Sequence, residues 1–109
     1  MHSETTLHIA PDHPALAGHF PGAPIVPGVV LLDAAVHAAL QMRSAATGED
    51  AGALAANCQI GAAKFLSPVA PGETLTIVID TTAAGSARFE ISGGGRTVAT
   101  GTLAWPPPP

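Results

Sequence analysis

Three residues of this chain have the types and spacing to do chemistry together: His19, Gly28 and Asp33. His19 precedes Phe20-Pro21-Gly22, so its backbone is constrained. An imidazole with one ring nitrogen held by a carbonyl keeps the other free as a base near neutral pH. Asp33 follows His19 by 14 residues and sits among Leu31, Leu32, Ala34, Ala35 and Val36. An ionised carboxylate in such company needs partners, or its pKa rises. Two readings of it stand open. It can be a buried structural aspartate satisfied by backbone or by His37, four residues on and on the same helical face. It can equally be a carboxylate kept in an apolar cleft to hold and release a proton. Gly28 heads the predicted helix, where the first N–H groups lack internal partners and favour developing negative charge, such as that on a thioester oxygen. Its missing side chain leaves that approach clear. A base, an acid and an oxyanion site suit removal of a proton α to a carbonyl with loss of a β-hydroxyl.

The elements that must position these groups follow from the local patterns. Residues 4–10 read as a first strand. Prolines 11, 14, 21, 24 and 27 then make a stiffened loop, because each fixes its own φ and restricts the residue before it. From Gly28 to about Ser44 the chain is rich in Ala and Leu, without proline, and predicts a helix with Pro27 at its start and Gly48 as its stop signal. Its first turns are apolar nearly all round, which predicts a buried helix. ALAANCQIGAAKFL, ETLTIVIDTT, SARFEISGGG and RTVATGTLAW then read as strands. Pro71-Gly72, Gly85 and Gly93-Gly94-Gly95 separate them, the last as a hairpin turn. The order predicts a single α+β domain over residues 1–105, a long helix laid on an antiparallel sheet, with 106–109 a disordered proline tail.

Composition narrows the class. The 109 residues are 47% hydrophobic and only 11% charged, where about a quarter charged is typical. That shortage implies a surface buried against a partner, most simply a second copy. The net charge of −4 with four Lys and Arg argues against nucleic-acid binding. No apolar run is long enough for a membrane span, the start lacks a signal-peptide pattern, and the lone Cys58 points to a reducing, cytoplasmic location. No nucleophile elbow, phosphate-binding loop, dinucleotide fingerprint or paired-cysteine motif occurs. His19, Asp33, His37 and Cys58 match no familiar metal-ligand spacing, so no metal is expected. His2, His8 and His13 are read as structural or surface histidines.

GHFPGAPIVPGVVLLDAA resembles the signature of the 3-hydroxyacyl-[acyl carrier protein] dehydratases, H-F-P-G-x-P-[IV]-[MV]-P-G-V with a carboxylate 14 positions after the His. KFLSPVAPGETLTIVID resembles that family's second motif, K-F-x-x-P-V-x-P-G-D-x-L. The resemblance runs from about His13 to Trp105. It implies a hotdog fold, a long central helix wrapped by a curved antiparallel sheet. It also implies a homodimer or higher oligomer with the His and the carboxylate of each site on different subunits, an apolar acyl tunnel, and no cofactor. By position, His19 would abstract the C2 proton and Asp33 would protonate the departing C3 hydroxyl. The Gly28 N–H would bind the thioester oxygen, the Ile25 carbonyl would orient His19, and Phe20, Pro24 and Val29 would shape the site. A (3R)-hydroxyacyl thioester would become a trans-2-enoyl thioester.

Several positions depart from the pattern. One branch of the family has Glu as the carboxylate and another has Asp; Asp33 matches the second, while the surrounding PGAPIVPGVVLLD is closer to the first. His37 stands where Gln is usual; a histidine there can hydrogen-bond the carboxylate or a water. Leu66-Ser67 follow Phe65 where basic residues are common. Lys64, Arg43, Arg88 and Arg96 are then the cations left to meet an acidic carrier protein, and a coenzyme A thioester is the other expectation. The short length resembles compact relatives from aryl polyene or polyketide-like synthesis. Two other readings compete: a hotdog thioesterase using water activated by Asp33, and a non-catalytic acyl-binding subunit in which His19 and Asp33 do not converge.

Overall fold

The computed structural model describes residues 2–9, 26–82 and 85–105. Seven elements follow in order: β1 (His2–His8), α1 (Gly28–Thr47), α2 (Ala51–Ala56), β2 (Gln59–Phe65), β3 (Thr74–Thr81), β4 (Ser86–Gly93) and β5 (Arg96–Ala104). The five strands form one sheet in the order β1-β3-β4-β5-β2, with every pairing antiparallel. The expected α+β class, with a helix on an antiparallel sheet, is the one observed.

Strand alternation builds the core. Leu75, Ile77 and Ile79 of β3 and Ala87, Phe89 and Ile91 of β4 are buried, while Arg88 and Glu90 between them are exposed. Period-two apolar residues thus line the sheet face that receives α1. Gly94 and Gly95 close the β4–β5 hairpin with φ of 59° and 76°. Positive φ at both central positions is what a two-residue turn matched to strand twist requires, and glycine reaches it without steric cost.

Helix α1 runs three residues past the expected end and stops at Gly48, whose φ is 76° and whose N–H donates to the Ser44 carbonyl at 2.9 Å. Pro27 is its N-cap. The expectation of a helix buried nearly all round is corrected. Only Leu31, Ala35, Ala39 and Leu40 are buried, whereas Val29, Asp33, His37 and Gln41 are exposed. One sheet covers one stripe of a helix, and among the described residues nothing encloses the opposite stripe of Val29, Asp33, His37 and Gln41.

The stretch read as a single strand around residues 53–66 divides in two. Asp50 caps α2 by accepting the Ala53 N–H at 3.1 Å, and the Ala-rich run then coils. Trp105 secures that helix, its Nε1–H donating to the Leu54 carbonyl at 3.1 Å. Strand β2 follows as the sheet edge, exposed at all seven residues. Its pairing with β5 shifts register between Gly61 and Lys64, so Ala62 and Ala63 oppose Gly101 alone. This is a β-bulge, with Ala62 in the left-handed region at φ 49°. The bulge brings Ala63 Cα toward Gly101, and Phe89 closes from the other side. A Cβ on Gly101 would lie 2.5 Å from Phe89 Cε2 and 3.2 Å from Ala63 Cα.

Gly101→Ala therefore overpacks the sheet where β5 lies between β4 and the bulged edge strand β2. Thermal denaturation is expected to show a loss of about 1–3 kcal/mol, the usual range for a forced core insertion. An unchanged melting temperature would contradict this packing.

Candidate active site

The site is built where the two signature stretches meet. The Val26 N–H donates to the Val69 carbonyl at 2.8 Å, joining the entrance of α1 to the connection between β2 and β3. A concavity of about 350 Å³ opens at this junction, lined by Val26, Gly28 and Leu31 from the first stretch and by Phe65, Pro68 and Val69 from the second. The first N–H groups of α1 carry the positive end of the helix dipole into it. The absence of a side chain at Gly28 serves a packing purpose that the sequence did not suggest. A Cβ there would lie 3.0 Å from Cε1 and Cζ of the Phe65 ring, so glycine lets that ring close on the helix start. Phe65 and the neighbouring Leu66 are nonetheless 52% and 58% exposed.

Arg96 fastens the second stretch. Its Nε donates to Ser67 Oγ at 2.8 Å and its Nη2 to the Pro68 carbonyl at 2.8 Å. Nη1 and Nη2 each donate to the Glu73 carboxylate at 3.1 Å, and Nη1 also reaches the Gly93 carbonyl at 2.7 Å. The planar guanidinium suits this fork-to-fork geometry. Glu73 also accepts the Ala70 N–H at 2.7 Å. The hydrogen bond from Arg96, and then that from Ala70, hold the Glu73 carboxyl below its ordinary value, and the same pairing raises Arg96. Neither residue was singled out from sequence as structural. The Gly-turn-Arg spacing of β5 and the acid after Pro71-Gly72 carry no local signal of a partner 23 residues away.

The sequence-derived site residues are distributed as follows. Gly28 and Val29 open α1; Gly28 lines the concavity, and Val29 is 69% exposed beside it. Asp33 lies on the exposed stripe of α1, so the buried aspartate expected from its neighbours is corrected for the single chain. Among the described residues it makes no hydrogen bond or ion pair, with His37 or any other group. His37 lines a separate groove of about 710 Å³ between α1 and β1, with Ala34, Ala38 and Met42 on one side and Ser3 and Thr5 on the other. Among the described residues Gly28 and His37 line different cavities, and Asp33 lines neither of them. His19, Phe20, Pro24 and Ile25 lie outside the described residues, as does the tail 106–109.

Of the four cations, Arg96 is committed to Glu73, and Arg43 stacks over the Trp105 ring, 4.8 Å from its centroid. Lys64 and Arg88 line a shallow hollow on the outer face of the sheet with Thr100 and Thr102. Among the described residues no three of His, Cys, Asp and Glu come together as a metal site requires, and no helix is long and apolar enough to cross a membrane. His2 is hydrogen-bonded to Asp80 at 2.6 Å and His8 to Thr74 at 3.2 Å, both at the β1 edge.

Known proteins resemble the chain as follows. It matches the ApeI-like family model, described as ApeI dehydratase, over residues 2–102. It is 39% identical over 66 residues to the 3-hydroxyacyl-[acyl-carrier-protein] dehydratase FabZ of Thermus thermophilus, covering 61% of this chain and 46% of that protein. It is 43% identical over 67 residues to the FabZ of Chlamydia trachomatis, covering 61% and 44%. The chain thus spans about half the length of the curated relatives it matches. The dehydratase heterocomplex ApeI:P from Xenorhabdus doucetiae superposes with a TM-score of 0.68 at 26% identity, covering 94% of this chain and 85% of that one. The fold is the hotdog that the sequence resemblance implied.

Glu73 gives a pH prediction. A carboxylate with a lowered folded pKa contributes stability fully above its ordinary value of 4.5 and loses it as the pH falls through the folded value. The melting temperature of Glu73→Gln is expected to fall below that of the parent by a constant margin from about pH 6 to 8, a margin that shrinks below about pH 4. A margin equal at both ends would contradict the ion pair.

Proposed function

The chain belongs to the ApeI-like dehydratase family, and from that premise we propose that it eliminates water from a (3R)-hydroxyacyl thioester to give the trans-2-enoyl thioester. His19 takes the proton from C2. The electron pair moves toward the thioester oxygen, where the Gly28 N–H and the helix dipole meet it. As the C2–C3 double bond forms, the C3–O bond breaks and Asp33 supplies the proton that lets the hydroxyl leave as water. No redox change occurs and no cofactor takes part. The observation that carries this reading is the meeting of the two signature stretches at the α1 N-terminus, through Val26–Val69 and the Gly28–Phe65 contact.

The site is completed by a second copy. Asp33 is exposed in one chain, and an exposed carboxylate lacks the dry surroundings that tune a catalytic acid. Val29, Ile60, Phe65 and Leu66 are 50–69% exposed, and β2 is a sheet edge with a free row of backbone groups. A copy laid against that edge buries these side chains. The thioester carrier is an acyl carrier protein, the carrier named for the relatives, met by Lys64 and Arg88. Coenzyme A is the alternative that a substrate panel separates.

Hydration of a crotonyl thioester, followed by loss of enoyl absorbance, is expected to fall by about 10²–10⁴-fold in both His19→Ala and Asp33→Asn. Turnover equal to the parent in either variant would refute that residue's role. Light scattering is expected to give a dimer; a stable monomer retaining activity would refute the shared site.

A further inference from the structure

We propose that the Arg96–Glu73 pair positions the oxyanion site at Gly28: it fixes the β2–β3 connection, and through it the start of α1. This rests on the dehydratase reading above. Residues 10–25 are bounded by Ile9 and Val26, and both are tied to this connection. The Ile9 N–H donates to the Glu73 carbonyl at 3.2 Å, and the Gly72 N–H donates to the Ile9 carbonyl at 2.7 Å. Val26 is held by Val69 at 2.8 Å. Ile9, Val26 and Val69 are all buried, so these bonds lie away from competing water. One short segment, Val69–Glu73, therefore holds both the residue that follows β1 and the entrance of α1.

The segment has no regular secondary structure of its own to keep its shape. What keeps it is Arg96, which bonds Ser67, Pro68 and Glu73 together and pins them to Gly93 at the β4–β5 turn. Leu66 and Ser67 add a backbone attachment, both N–H groups donating to the Val98 carbonyl at 2.7 and 3.3 Å. Arg96 and Glu73 do not line the concavity, so they act through the segment rather than on substrate. Displacing it shifts the Gly28 N–H, and a misplacement of about 1 Å can cost about 10²-fold in rate. Lysine cannot replace the fork, because a single ammonium cannot span five acceptor contacts in one plane.

The test uses Glu73→Gln and Arg96→Lys in the full chain, with two readouts. Hydrogen exchange is expected to show at least about tenfold lower protection of the Ile9 and Val26 amides, with β4 unchanged. Hydration of a crotonyl thioester is expected to lose at least about tenfold in kcat with KM within about threefold, measured per folded molecule. Full protection of both amides would overturn the anchor. Lost protection with unchanged kcat would overturn its positioning role. Should the parent turn over no 3-hydroxyacyl thioester, the dehydratase reading fails; retained protection then overturns the anchor, and lost protection upholds it.

Discussion

A single sheet can cover only one stripe of a helix, and much of this molecule follows from that limit. Leu31, Ala35 and Ala39 fill the stripe that faces β3 and β4, and they are almost wholly enclosed. The opposite stripe carries Val29, Asp33 and His37 into the open. At the far edge, β2 leaves Ile60 and Phe65 half-uncovered. Fully burying such side chains is worth about 1.5–3 kcal/mol each. An apolar surface flanked by an open strand edge is a strong drive toward association, and a chain with 11% charged residues offers little to oppose it. The acid proposed for catalysis sits on that same uncovered stripe. In the proposed mechanism, association and catalysis would draw on one surface.

The second organising feature is the hold that β5 and the β2–β3 connection exert on the helix start. Residues 26 and 69 are distant in sequence, yet one hydrogen bond joins them, and Arg96 braces the far side of the joint. A helix N-terminus proposed to meet a thioester oxygen needs this bracing because its dipole acts only over the first turn and only along a fixed direction. The glycine at position 28 belongs to the same joint, since Phe65 closes against it. The ring that seals the junction from one side is also part of the uncovered apolar surface, so the local joint and the association surface share a residue.

What could be read from sequence was whatever local chemistry decides. Pro27 and Gly48 bound α1 because proline presets a helix start and glycine accepts the left-handed stop. Gly94-Gly95 declared its turn for the same reason. The β3–β5 meander showed through short apolar runs broken by Pro71-Gly72, Gly85 and the Gly93–Gly95 turn. The two motif stretches were visible, although their contact was not, because a hydrogen bond across 43 positions leaves no trace in either segment. The split of the 53–66 run failed on a quieter signal: Asp50 caps α2, but the Ala-rich run beyond it satisfies helix and edge strand alike until Trp105 settles the helix. Asp33 was expected to be enclosed because its neighbours in sequence are apolar, and burial on a helix is decided by direction as much as by neighbours. Arg96 was read only as an available cation and Glu73 only as part of the second motif, since a salt bridge is a tertiary fact.

The account turns on whether one catalytic centre draws its base and its acid from two different chains. Subunit mixing tests this directly. His19→Ala and Asp33→Asn protomers, each inactive alone, are unfolded together and refolded, and hydration of a crotonyl thioester is followed. With groups shared across a two-fold interface, half of the dimers are mixed and each mixed dimer holds one intact centre, so activity returns to about a quarter of the parent value. A mixture as inactive as its two components would place both groups within one chain and contradict the account.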